Sequence, residues 1–82
     1  MKKAEEIFAN AQSVCEEFSR HMFVDKENCS FLLNVDLDWV DKIIERMKRI
    51  DFDIKLKIEM ERTVTLVLQN TKLLLAIKKH HI

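Results

Sequence analysis

The sequence contains neither glycine nor proline. At ordinary usage a chain of 82 residues would carry about six glycines and four prolines. Their absence excludes every glycine-rich phosphate cradle, the glycine-hinged oxyanion loops and the EF-hand, whose sharp turn needs its glycine. Tyrosine is absent as well, and there are only two cysteines, three histidines and one tryptophan. Long apolar runs are also lacking: the longest is Leu73-Leu74-Leu75-Ala76-Ile77, against about 20 residues for a membrane-spanning helix. Lys2-Lys3 leads into Glu5 and Glu6 rather than into the apolar stretch of an export signal. Cys15 and Cys29 therefore read as reduced, buried thiols in a cytoplasmic setting.

What is present is a 48% apolar composition, ordinary for a folded core, in a length that allows one small domain spanning 1–82. Formal charge is zero but unevenly spread. All fourteen acids and ten of the bases lie in residues 1–61, whereas Arg62, Lys72, Lys78 and Lys79 follow without an acid. A basic end on an acidic body fits self-neutralisation better than phosphate tracking, for which four charges are few.

Ala4, Ile7, Phe8, Ala11, Val14, Cys15, Phe18 and Met22 recur at three- and four-residue steps, which predicts a helix from Lys3 to Phe23. Asp25-Lys26-Glu27-Asn28 is the following turn. Phe31, Leu33 and Val35 alternate with Ser30, Leu32 and Asn34 and predict a strand over Cys29–Val35. A second helix follows, capped by Asp36 or Asp38, with Val40, Ile43, Ile44, Met47 and Ile50 inward. From Ile50 to Met60 every even position is apolar and every odd one charged, the clearest strand signal in the chain, and the alternation resumes at Val64, Leu66 and Leu68. If a hairpin joins these runs with all even positions on one face, its loop holds an odd number of residues, most simply Glu61-Arg62-Thr63, with Met60 opposite Val64. Asn70 either caps a helix over Thr71–His80 or turns the chain into a last strand. The turn pairs Leu68 with Leu73 and Leu66 with Leu75, and is preferred.

These elements give an α+β fold, a two-layer α/β sandwich in the order α-β-α-β-β-β, with a helix as the alternative for the last strand. Both helices cover one face of a mixed sheet in which Phe31 to Ile58 forms a parallel crossover. The expected core is Phe8, Val14, Phe18, Ile43, Met47, Ile54, Leu56, Leu66 and Leu68.

Chemistry is sparse. The pairs Asp36/Asp38 and Asp51/Asp53 flank the two ends of one helix, about 18 Å apart, too far to share a cation. His21, His80, His81 and the two cysteines lack metal-ligand spacing. Cys15 sits on an apolar stripe with no activating base, and Cys29 has only His21 near it in sequence. No catalytic residue, metal or cofactor is expected. The reading that remains is a non-enzymatic interaction or regulatory module, self-associating or bound to a protein partner, with no membrane role. Its expected contact face bears Val67, Leu74 and Ala76, together with Lys55 and Lys57. The alternative is a small nucleic-acid-binding protein using the basic second helix (Lys42, Arg46, Arg49) and the C-terminal tail.

Overall fold

The computed structural model describes residues 2–80, with side chains for 3–79. Three helices and a four-stranded sheet make an α+β protein. Helix α1 (Lys2–Phe18) buries Ala4, Ala11 and Cys15 along the expected stripe, with Ile7, Phe8, Val14 and Phe18 half-buried beside them. It ends five residues before the predicted end. The Ser19 hydroxyl donates to the Cys15 carbonyl, and the chain continues directly as strand β1 (Ser19–Asp25). Met22 satisfies both periods, four residues after Phe18 as a helix position and two before Val24 as a strand position. Pairing with the next strand decides for the strand.

Strand β2 (Ser30–Asp36) buries Phe31, Leu33 and Val35. A 3₁₀ turn (Leu37–Trp39) leads into α2 (Val40–Lys48), which buries Val40, Ile43 and Met47. The expected capping bond is not made: Asp36 precedes the turn without a side-chain cap and bonds Arg20 instead, 3.3 Å away. At its C-terminal end Asp51 adopts the left-handed conformation at φ 64°. The Phe52 N–H reaches the Met47 carbonyl at 3.0 Å and the Asp51 N–H the Lys48 carbonyl at 3.1 Å. This is a Schellman closure, with buried Phe52 packing where the motif wants an apolar residue. Aspartate holds the position glycine usually takes.

Strands β3 (Asp53–Glu59) and β4 (Thr63–Gln69) form the hairpin, and the sheet order is β1-β2-β4-β3 with every pairing antiparallel. The mixed sheet is thus corrected. Strands β2 and β3 run the same way, as the crossover required, but β4 inserts between them. The expected last strand is corrected too: Thr71–His80 is helix α3. Both edges of β4 are already paired, so a hairpin partner after Asn70 has no edge to join. Asn70 caps α3 instead, its Oδ1 accepting the Leu73 N–H at 2.9 Å while its Nδ2 donates to the Ile50 carbonyl at 3.0 Å.

Phe31 sits at the centre of the core, stacked on Phe8 at 4.8 Å and tilted against Phe52 at 5.7 Å. Inward residues of β2 and β4 share that core with α1 and α2. Helix α3 packs through Leu73, Leu74 and Ile77 on Ala4 and Ile7 of α1 and on Cys29.

Candidate functional site: the open face of the sheet

The hairpin resolves the parity problem in the strand rather than in the loop. Ile58 pairs with Thr65 and Glu59 with Val64, and the Met60 N–H donates to the Thr63 carbonyl at 2.8 Å, so the loop is the two residues Glu61-Arg62. A bulge at Lys55 compensates: Ile54 faces Leu68, Leu56 faces Val67, and Lys55 is the extra residue between. Before the bulge the even positions point toward the helices, and after it they point away. Leu56, expected in the core, is 46% exposed, and Ile58 and Met60 are 47% and 60% exposed. Ile54, Phe8, Val14 and Phe18 are half-buried against the core, and Ile43, Met47, Leu66 and Leu68 are fully buried in it.

The registers then align one apolar row across all four strands. Phe23 pairs with Leu32, Leu32 with Val67, and Val67 with Leu56. Directly paired residues on one face have side chains within contact range. All four lie on the side opposite buried Phe31, Leu33, Leu66 and Leu68. Phe23 is 65% exposed, and Leu32 and Leu56 are also exposed. Among the described residues no helix covers this row. On one side of it lie Asp25, Ser30, Gln69 and Asp53, and on the other His21, Asn34, Thr65 and Ile58. Asn34 Nδ2 donates to the Thr63 hydroxyl at 3.3 Å, and Asp25 accepts the backbone and side-chain N–H groups of Asn28, which fixes the β1–β2 turn.

The residues expected to make a contact face are dispersed. Val67 is central to the open row. Lys55 is the exposed bulge residue. Lys57 falls on the opposite side, opposite Leu66, and pairs with Glu59 at 3.4 Å beyond the reach of the helices. Leu74 and Ala76, expected on a strand, lie half-buried on α3. Sequence reasoning placed Leu32 on the open face beside Val67, and missed Phe23, Leu56, Ile58 and Met60 as surface residues. The available signal was the even-odd conflict of the hairpin, which a bulge satisfies as well as an odd loop.

The three basic residues of the expected nucleic-acid face, Lys42, Arg46 and Arg49, are engaged within the chain. Lys42 Nζ lies 5.1 Å over the Trp39 ring, Arg46 lies 5.5 Å over Phe18 and 3.5 Å from Glu17, and Arg49 binds Glu45 at 2.7 Å. Lys42, Arg46, Trp39, Phe18, Glu17 and Glu45 line a shallow groove of about 510 Å³ in which both signs of charge alternate. Lys72 of the basic tail reaches Asp51 at 3.5 Å.

Neither cysteine is poised as a nucleophile. Burial, with Glu16 adding, pushes the Cys15 thiol up to about 12, and its Sγ rests 3.9 Å from Met47 Sδ. Burial and then Asp25 raise the Cys29 thiol. A thiol so raised stays protonated at neutral pH and is unreactive. No group of three or more His, Cys, Asp or Glu side chains gathers among the described residues, and none of their helices is long and apolar enough to cross a membrane. No family model, curated protein or solved structure matches the chain.

Proposed function

We propose that this chain is a small non-enzymatic protein-interaction module that self-associates as a dimer through the open face of its sheet. The observation that carries the reading is the row Phe23-Leu32-Val67-Leu56, continuous across four strands and extended by Ile58 and Met60. Scattered exposed apolar residues are normal, but a contiguous apolar patch on one face marks a contact surface. Fully burying a side chain of this kind stabilises by about 1.5–3 kcal/mol. A domain this small gains proportionally more from such burial than a large one.

The edges are less suited to the contact. Strand β3 carries a bulge and the charges of Lys55, Lys57 and Glu59, and β1 has an irregular register at Arg20. Both are devices that discourage edge pairing. A nucleic-acid reading has weaker support, because Lys42, Arg46 and Arg49 already rest on aromatic rings or carboxylates and the open face carries Asp25 and Asp53.

Sedimentation equilibrium over a range of concentrations tests the reading, with wild type beside Phe23→Lys and Leu56→Lys. The expected result is a wild-type mass that climbs toward twice 9.8 kDa, with both variants monomeric and folded. A wild type that stays monomeric at high micromolar concentration overturns it.

A further inference from the structure

Resting on that self-association, we infer that the second copy of this chain lies face to face with its strands antiparallel, about a two-fold axis that runs across the strands along the row Phe23-Leu32-Val67-Leu56. Two symmetric ways of stacking the face on itself compete. A two-fold along the strands sets β1 over β3 of the second copy. A two-fold across them sets each strand over its own counterpart, reversed. Both bury the apolar row.

The acids distinguish the two. Asp25 and Asp53 stand at the same end of the face, on its two opposite edge strands, because both lie in the row that pairs through Ser30 and Gln69. An axis along the strands places Asp25 over the second copy's Asp53, and does so twice, so that four carboxylates meet in two like-charged pairs. Juxtaposed like charges at an interface are a strong determinant against a docking mode. An axis across the strands carries each acidic end to the far side of the row. Asp25 then stands beside the second copy's His21, a hydrogen-bond donor. Ser30 meets Asn34, Gln69 meets Thr65, and Asp53 stays at the solvated rim near Ile58. Apart from Asp53, which borders Ile58 at the rim, polar residues then face polar ones, and the apolar residues of the row face their own copies, Phe23 on Phe23 and Leu56 on Leu56.

The size of the contact sets the scale of the test. Four strands about 4.8 Å apart and three rows along them give a footprint of roughly 20 × 20 Å per copy. The pair covers about 800 Å² of flat area, below the roughly 1,000 Å² that a stable specific contact needs, so the contact is a weak, reversible one. Dissociation constants in the micromolar range are expected, so the experiment is run at high micromolar chain concentration.

The test uses Phe23→Cys and Leu56→Cys, each in the full chain with Cys15 and Cys29 replaced by Ala, under mild oxidation and with a short thiol cross-linker. Across-strand symmetry places each new thiol against its own copy, so each variant alone forms a covalent dimer, and mixing adds no enrichment of the Phe23→Cys/Leu56→Cys heterodimer. Along-strand symmetry separates identical positions by about three strand spacings, roughly 14 Å sideways. Neither variant then cross-links alone and the mixture does, which overturns the inference. Wild-type sedimentation separates the two levels. A concentration-dependent wild type with only the mixed cross-link refutes the axis and leaves the dimer standing, whereas a strictly monomeric wild type refutes the dimer itself.

Discussion

Deleting Lys55 is the most direct probe of how the open face comes to be apolar. The register runs Ile54 opposite Leu68, then Leu56 opposite Val67, with Lys55 as the only unpaired residue between them. Removing it converts the bulge into a regular ladder in which Ile54 still points toward the helices and Leu56, Ile58 and Met60 still point away. The two-residue loop Glu61-Arg62 and every downstream pair are unchanged. The deletion spares the ordering of one residue, about 1–2 kcal/mol, and forfeits the local twist that a bulge supplies. These oppose one another, so the expected stability change is within about 1 kcal/mol, or roughly 4–8 °C in Tm for a domain of this size. If instead the even positions of β3 faced the core up to Met60, the deletion would turn Leu56, Ile58 and Met60 inside out. At about 1.5–3 kcal/mol for each buried apolar side chain, the loss would then rival the entire stability of a small domain. Urea and thermal unfolding of the deletion variant distinguish the two. A loss greater than about 3 kcal/mol refutes the bulge argument, because that magnitude requires core side chains to have moved.

Asn70→Ala removes both the cap on α3 and the donor to the Ile50 carbonyl, and is expected to cost about 2–3 kcal/mol by urea unfolding. Asn70→Ser, which keeps a cap but is too short for Ile50, should recover about 1 kcal/mol of that. Asp51→Gly relieves the left-handed residue after α2 and should raise stability by about 0.5–1 kcal/mol, since the exposed Lys72 contact it gives up is worth little. Phe31→Ala empties the position between Phe8 and Phe52 and should cost about 3–5 kcal/mol, with loss of the folded near-ultraviolet signal under mild denaturant. The raised Cys15 thiol keeps its proton in the folded state after the unfolded one, ordinarily near 9, has lost it. Wild-type stability should therefore fall, relative to Cys15→Ala, as pH rises from about 9 toward 12, and a pH-independent difference between the two would contradict the burial of the thiol.

Much of the fold is legible along the chain because two periods dominate it. The three- and four-residue spacing of Ala4 to Phe18 and the alternation of Phe31, Leu33 and Val35 each admit one structure, and the structure has it. Where a segment satisfies two periods, local pattern does not decide. Residues 19–23 continue a helical stripe through Met22, yet they also alternate through Met22 and Val24, and pairing with β2 outweighs helix propagation. The last segment fails for a related reason. Whether Asn70 caps a helix or turns a strand depends on whether β4 has a free edge, and that is fixed by the strand order, a property of the whole sheet.

The candidate site was less legible than the fold, and a single extra residue accounts for most of the difference. Strict alternation from Ile50 to Met60 makes the apolar side of β3 the obvious core side, and the parity argument then assigns Leu56, Ile58 and Met60 inward. A bulge leaves the residue pattern untouched while exchanging the faces beyond it, so alternation cannot reveal it. The helices supply the physical reason for placing the exchange at Lys55. Ile54 is the last β3 side chain packed against the core, and beyond it the inward side holds the ion pair of Lys57 and Glu59. Lys57 and Glu59 are solvent-exposed there, and among the described residues no helix covers that end of β3, so apolar side chains gain nothing by pointing that way, whereas on the other face they join Phe23, Leu32 and Val67 in one surface. The same exchange leaves Lys57 and Glu59 on the helix side and Leu56 and Ile58 on the open side, and that apolar surface is what the proposed self-association rests on.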